Sequence, residues 1–229
     1  MRTFGIAAKW LFMLCVPILL LTASLGWAAN SLWLYKHGFE KYNVSQTTGL
    51  AGSELETAAR GLIGYFNSDE EYISLTVVKD SKPLELFNQQ EVIHLKDVKG
   101  LIQLDYGVLL GTLAYALAYA GVCLFWRKRR YWRHLAWGLV GGGGITLALM
   151  LALGLGTLFG FSQLFWQFHL ISFPNELWLL DPTKDYLIML FPQGFFYDAA
   201  LFCAGITAGL AVILGGVAGK YLAFTKRAK

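Results

Sequence analysis

The chain has 229 residues, 56% of them hydrophobic, and carries 19 lysines and arginines against 15 acidic residues. Several runs are almost free of charge, which excludes a soluble globular domain. The net charge of +4 gathers in short basic clusters beside those runs, a mark of membrane topology and not of nucleic-acid binding.

Residues 1–30 begin with Arg2 and Lys9 and continue into the first of four apolar segments, 10–30, 106–126, 135–161 and 199–224. Each is long enough to cross the hydrocarbon core, and lipid leaves helix as the only spanning form, because open backbone groups find no partner there. Gly26-Trp27-Ala28 is a rough match to a cleavage site, but the apolar run before it, about 20 residues, exceeds a signal-peptide core. The first segment is therefore read as a retained helix. The three cysteines, Cys15, Cys123 and Cys203, fall inside predicted spans as small core residues, with no disulfide or metal-ligand spacing.

Residues 31–105 form a small cap, predicted to be α+β. Ser53-x-x-Glu56 predicts a capping box opening a helix to about Tyr65, with Leu55, Ala58, Ala59 and Leu62 at helical spacing. Residues 71–78 and 84–87 read as strands around a turn at 80–83. Asn88-x-x-Glu91 repeats the capping pattern and starts a helix through His94 toward the second span. Asn43-Val44-Ser45 matches a glycosylation acceptor.

Spans two and three, within 106–161, flank a basic loop at 127–134 with Arg127, Lys128, Arg129, Arg130 and Arg133. The last segment, 199–229, ends with Lys220, Lys226, Arg227 and Lys229. All 15 acidic residues lie in the other two segments, 31–105 and 162–198. The positive-inside rule puts both termini in the cytoplasm and both acidic segments outside the membrane. Gly141–Gly144 and the pairs Gly205/Gly209 and Gly215/Gly219 predict close helix packing within one bundle. No carboxylate or lysine sits deep in a span, which disfavours transport.

Residues 162–198 are aromatic, with one histidine and four carboxylates, and belong at a membrane–water boundary. Asp181-Pro182 predicts an N-cap and first helical residue for a helix over 183–190. Asn175, Glu176 and Asp185 are candidates for a polar head group or for solvent. Phe165, Trp166, Phe168, Phe173, Trp178, Phe195 and Phe196 are candidates to line an acyl pocket or to form an aromatic belt.

Of the four histidines, His37 and His134 are read as solvated. His94 and His169 come from different outer segments, each beside the end of a span, so both reach one plane. Asp97 shares a helix face with His94 and is placed to orient it. There is no G-x-S-x-G elbow, no outer cysteine nucleophile and no H-E-x-x-H. Histidine acid–base chemistry on a lipid, a bis-histidine haem site on His94 and His169, and a scaffold with a partner-binding cap remain open.

E-x-x-H-L-K-D-V-K at 91–99, F-H-x-x-x-F-P-N-E-x-W-x-x-D-P-x-x-D-x-L-I at 168–188 and F-P-x-x-F-F at 191–196 resemble the bacterial lipoprotein intramolecular transacylase family. The resemblance begins at the F-x-K-Y-N-V stretch, 39–44. Ser172 departs from the pattern, which more often has an aromatic there, and so bears on pocket shape. The resemblance implies an all-α integral membrane protein with four transmembrane helices under a small extracellular cap. It implies a substrate, a diacylglyceryl-modified lipoprotein, met among membrane lipids with no cofactor, metal or nucleic acid. The sn-2 acyl chain moves to the amino group of the lipoprotein's own N-terminal cysteine, leaving a lyso-form. His94 and His169 are then the catalytic pair; His169 as base with His94, oriented by Asp97, on the ester side is one assignment, and the reverse stays open. Asn175, Asp181 and Asp185, with Asp97, are the candidates for an orienting or polar pocket around them.

Overall fold

The computed structural model describes residues 2–126 and 131–227. In chain order these form α1 (Arg2–Ala29), α2 (Leu32–Lys41), α3 (Val44–Thr48), α4 (Gly52–Phe66), β1 (Thr76–Lys79), β2 (Lys82–Glu85), α5 (Gln89–Gly121), a π-helical turn (Val122–Trp126), α6 (Trp132–Ser172), α7 (Tyr186–Leu190) and α8 (Gln193–Arg227). Among the described residues, four helical stretches are long and apolar enough to cross a membrane: Ile6–Ala29, Gln89–Phe125, Trp132–Ser172 and Gln193–Lys226. They cover the four predicted spans to within one residue, and the only sheet described is a two-stranded hairpin. Arg127, Lys128, Arg129, Arg130 and Lys229 lie outside the described residues.

One compact unit comprises Met1–Leu25, Asp105–Gly156 and Leu201–Lys229. Phe12, Val16, Leu20 and Ala211 form its core, with Tyr115, Tyr119, Leu135 and Leu139 packed around them. Phe12 stacks on Tyr119 at 4.6 Å, and the Tyr115 hydroxyl donates to the Ala8 carbonyl at 2.8 Å. The glycine run acts where helices meet. A Cβ on Gly142 would stand 2.6 Å from the Val16 side chain, and one on Gly143 3.1 Å from the Ala211 carbonyl oxygen. Bare backbone at these positions lets α6 approach α1 and α8, the packing that drives association in lipid. The spaced pairs on α8 do not behave this way. A Cβ on Gly205, Gly209 or Gly219 would meet nothing within 4 Å, and only Gly215 lies close to α6, at Gly143. The three cysteines are free and buried, and Cys203 Sγ donates to the Ser24 carbonyl at 3.8 Å.

The other unit comprises Gly26–Leu104 and Thr157–Ala200. α2, which the sequence did not single out, is capped by Ser31 and buries Leu34, Tyr35, Gly38 and Phe39. Tyr35 and Phe39 meet Phe191 at 5.5 and 5.6 Å, and Gly38 receives the Phe195 ring. Asp198 accepts from Lys41 at 2.6 Å and from the Tyr42 hydroxyl at 2.7 Å.

The first capping box does not form. α4 starts at Gly52 with Ala51 as N-cap, so Ser53 is already inside the helix. Glu56 is drawn away to Lys36 and Arg60, both at 2.7 Å. The buried face of α4 is the expected one, Leu55, Ala58, Ala59 and Leu62. β1 is shorter than its predicted strand, and β2 has the predicted length but begins two residues earlier. Asp80 and Ser81 take positive φ (51° and 60°) in a two-residue hairpin turn, and pairing runs from Lys79↔Lys82 to Thr76↔Glu85. Beyond the Leu86 N–H bond to the Leu75 carbonyl at 2.9 Å the chain leaves the ladder: Ile73 turns into the core and Glu71 pairs with Lys96 on α5.

Candidate active site

His94 is set by the start of α5. The second capping box forms as expected: the Asn88 N–H donates to Glu91 Oε2 at 2.7 Å, and Asn88 Oδ1 accepts from the Glu91 N–H at 3.1 Å. The other Glu91 oxygen accepts from the Leu187 N–H at 2.7 Å. Asn88 Nδ2 donates to Asp185, which also accepts from the Asp181 N–H. Glu91 and Asp185 are both almost fully buried, and this network ties residues 181–187 to the first turn of α5. From Gln89 to Phe125 the helix runs 37 residues, about 55 Å, nearly twice the hydrocarbon core. Its early part carries Glu91, Lys96, Asp97 and Lys99, so His94 stands outside the apolar span. Burial pushes the Glu91 carboxyl up, against the pull of its two backbone N–H partners.

His169 is set by α6. The helix passes a non-helical residue, Gly160 (φ −157°, ψ 35°), and continues past the predicted end of the span to Ser172. One turn before its end, His169 Nδ1 lies 2.7 Å from the Phe165 carbonyl oxygen. A carbonyl only accepts, so Nδ1 carries the hydrogen, and the neutral ring presents its Nε2 lone pair to any partner.

The two imidazoles meet. Their centroids are 6.4 Å apart with 26° between planes, and His94 and His169 are 6% and 9% exposed. Aromatic rings enclose them. Phe173 packs on His94 at 4.8 Å and on His169 at 5.6 Å; Phe165 and Trp178 lie 4.4 and 4.8 Å from His169, and Phe168 lies 5.4 Å from it. Trp166 stands edge-on to Trp178 at 4.8 Å. Of the seven candidate lining residues, Phe165, Phe168, Phe173 and Trp178 pack on the histidines, Trp166 packs behind Trp178, Phe196 lies beside Phe165 at 5.1 Å, and Phe195 turns toward Tyr35 of α2. The loop after α6 is pinned to α5 by Asn175 Nδ2, which donates to Asp97 Oδ2 at 2.8 Å. Gln90 adds bonds to the Leu177 and Leu179 carbonyls.

Burial first, then the neighbouring His169 charge, push the His94 pKa down to about 4, against the upward pull of Asp97. Burial also lowers His169, while the Phe165 carbonyl pulls it up. Both rings are therefore neutral at neutral pH.

Several expectations are corrected. Asp97 makes no hydrogen bond to His94: its carboxylate is engaged by Asn175, and His94 Nδ1 is buried without a partner. Asp181 is not the N-cap of a helix over 183–190. Its carboxylate closes a turn onto Thr183, and helix α7 begins five residues later, at Tyr186. The reason is Asp185, whose carboxylate folds back to the Asp181 N–H and ends the turn before it propagates. The hydrogen bonds of Asp181 and Asp185 thus serve the loop and its tie to α5. Asn88, Gln90 and Glu91 were not singled out for the site, although Asn88 and Glu91 carried a visible signal in their capping spacing.

Residues 10–196 match the model of the lipoprotein intramolecular transacylase family, Lit. The chain belongs to this family of enzymes. Its fold is similar to that of the membrane integral lipoprotein intramolecular transacylase Lit from Bacillus cereus, with a TM-score of 0.79, 20% identity and all of both chains covered. Variants of that protein with one histidine replaced give similar values. The arginine variant has a TM-score of 0.76 at 20% identity, covering 99% of this chain and 95% of that one. The alanine variant has 0.74 at 19%, covering 100% and 97%. An uncharacterized protein of Aquifex aeolicus is 30% identical over 137 residues, a match that takes 58% of this chain and spans 58% of the length of that relative. This is an integral membrane protein with four spans, similar in fold to the membrane integral Lit structures.

Proposed function

We propose that this enzyme moves the sn-2 acyl chain of a diacylglyceryl lipoprotein to the α-amino group of the lipoprotein's own N-terminal cysteine, using His94 and His169. The observation that carries the reading is the pair of buried neutral imidazoles, 6.4 Å apart inside an aromatic enclosure, one with its tautomer fixed. Because the amine and the ester belong to one molecule, the chemistry needs no enzyme nucleophile. It needs the substrate folded so that nitrogen meets carbonyl, and a proton carried from one to the other.

The nitrogen attacks the acyl carbon, and its proton passes to His169 Nε2. The acyl carbon–oxygen bond breaks, the amide forms, and His169 returns the proton to the glyceryl oxygen, leaving a free hydroxyl. Trp178 and the Phe165 carbonyl flank His169 and favour the imidazolium it becomes for that moment. Too depressed to be cationic at rest, His94 acts as a neutral donor that polarises the ester. Phe165, Trp166, Phe168, Phe173 and Trp178 hold acyl chains and keep water from the ester.

Charge placement supports a bacterial cell membrane, with both termini cytoplasmic and residues 31–105 and 162–198 outside. The same segments define the reading of the chain as a first span, an extracellular cap, a two-span hairpin, an aromatic boundary segment and a last span. Phe173 weighs against a haem: it sits beside the midpoint of the two imidazoles, where the plane of an axially ligated macrocycle would pass. Mass spectrometry of a lipoprotein N-terminal peptide, with and without this protein expressed, tests the reading. An N-acylated peptide with one acyl chain fewer on the glyceryl group is expected, and an unchanged peptide refutes it.

A further inference from the structure

Gln90 is the second residue of α5, one turn before His94. Its side-chain nitrogen donates to the Leu177 carbonyl at 3.1 Å and the Leu179 carbonyl at 3.0 Å. A primary amide has two N–H groups, and both are used. The two carbonyls flank Trp178, whose indole lies 4.8 Å from the His169 ring. Within the same loop, the Leu179 N–H bonds the Glu176 carbonyl and the Leu180 N–H bonds the Trp178 carbonyl, each at 3.0 Å. The backbone around Trp178 is thus held from inside by its own turn and from outside by one side chain.

We propose that Gln90 is a positioning residue of the active site: by gripping the backbone on either side of Trp178, its amide holds the indole against His169. The inference rests on the transacylase reading and adds a determinant of its outcome. Trp178 helps cover the ring that takes the proton. When the indole is free to leave, water reaches the ester beside a ready base. Water then attacks the acyl carbon, the same carbon–oxygen bond breaks, and the products are a free fatty acid and a lyso-lipoprotein whose amine is still unmodified. Transfer and hydrolysis leave the same glyceryl hydroxyl and differ only in where the acyl carbon ends, so mass separates them.

The experiment uses the full-length protein in lipid nanodiscs with a synthetic diacylglyceryl peptide, and quantifies N-acyl product against fatty acid. Gln90→Leu raises the hydrolysed share several-fold, and Trp178→Ala does the same. The double variant shows no further rise, because the first residue acts through the second. Gln90→Lys, whose ammonium reaches both carbonyls, restores transfer. Should Gln90→Leu fail to accumulate, Gln90→Glu, equal in size and without an amide hydrogen, takes its place. A wild-type product ratio in the donor-less variant, effects that multiply in the double variant, or failure of Gln90→Lys to rescue would overturn the inference and leave the transacylase reading standing. A wild-type protein that forms no N-acyl product removes both.

Discussion

Asn175 holds Asp97 by a 2.8 Å hydrogen bond, three residues along α5 from the histidine that Asp97 was expected to orient. The carboxylate therefore acts on His94 through its field and not through a contact. Asp97→Asn keeps an oxygen for Asn175 to bond but removes the charge that raises the His94 pKa. The His94 titration is expected to move below its present value of about 4, with a smaller loss of activity than His94→Ala. Histidine ring NMR against pH checks this, and an upward movement contradicts it.

His169→Ala and His94→Ala each remove a group from the reacting pair. Acid–base help is worth about 10²–10⁴-fold, and transfer should fall by that order. Size-exclusion profiles and helical circular dichroism should stay those of the wild type, because neither ring forms a hydrogen bond to another element. Near-normal N-acylation in one variant would remove that histidine from the mechanism.

The rate should follow the substrate's amine. Its pKa is roughly 7.7–8.0, well above both histidines, so proton removal from the resting ammonium is uphill for either ring. His169 therefore acts on the nitrogen only after attack has begun, and the neutral amine comes from the bulk equilibrium. Single-turnover rates are expected to rise from pH 6 to pH 8 with the amine's midpoint. A profile flat over that range would contradict the assignment.

Stability should fall in acid for a reason local to His94. Its folded pKa, about 4, lies below the ordinary value of roughly 6.5, so between those values the unfolded chain takes a proton that the folded one refuses. The contribution, on the order of 3 kcal/mol, is complete above about pH 6.5 and is lost as pH falls through 4. Melting temperatures in detergent between pH 7 and pH 4 should show this loss, and His94→Phe should flatten it.

The glycines divide cleanly. Gly142→Leu drives a side chain into Val16 and the Met13 carbonyl, and overpacking of this kind costs about 1–3 kcal/mol. At Gly209, where nothing lies within 4 Å of a Cβ, leucine should leave the melting temperature unchanged. Equal losses at both positions would show that α8 packs through its spaced glycines after all.

Much of the architecture follows from composition and spacing alone. Bilayer thickness forces about 20 apolar residues into each span, so residues 10–30, 106–126, 135–161 and 199–224 were readable without coordinates. The Asn88–Glu91 box and the buried face of α4 were readable too, because both are contacts between residues three or four apart in one helix. The failures share one feature. Ser53 and Glu56 formed no box because Lys36, twenty residues before Glu56, competes for its carboxylate, and Asp181 launched no helix because the Asp185 carboxylate that takes its N–H is itself held by Asn88 across 97 residues. In the same way, the histidines were visible as candidates from their places near span ends. Yet the 6.4 Å between their rings, the tautomer of His169, the bond that takes Asp97 away from His94 and the grip of Gln90 on Trp178 arise from chain crossings that no local pattern encodes. Local spacing determines which groups can pair within a helix. Which long-range partner claims a carboxylate or an amide is decided by the competition that begins once the helices are packed.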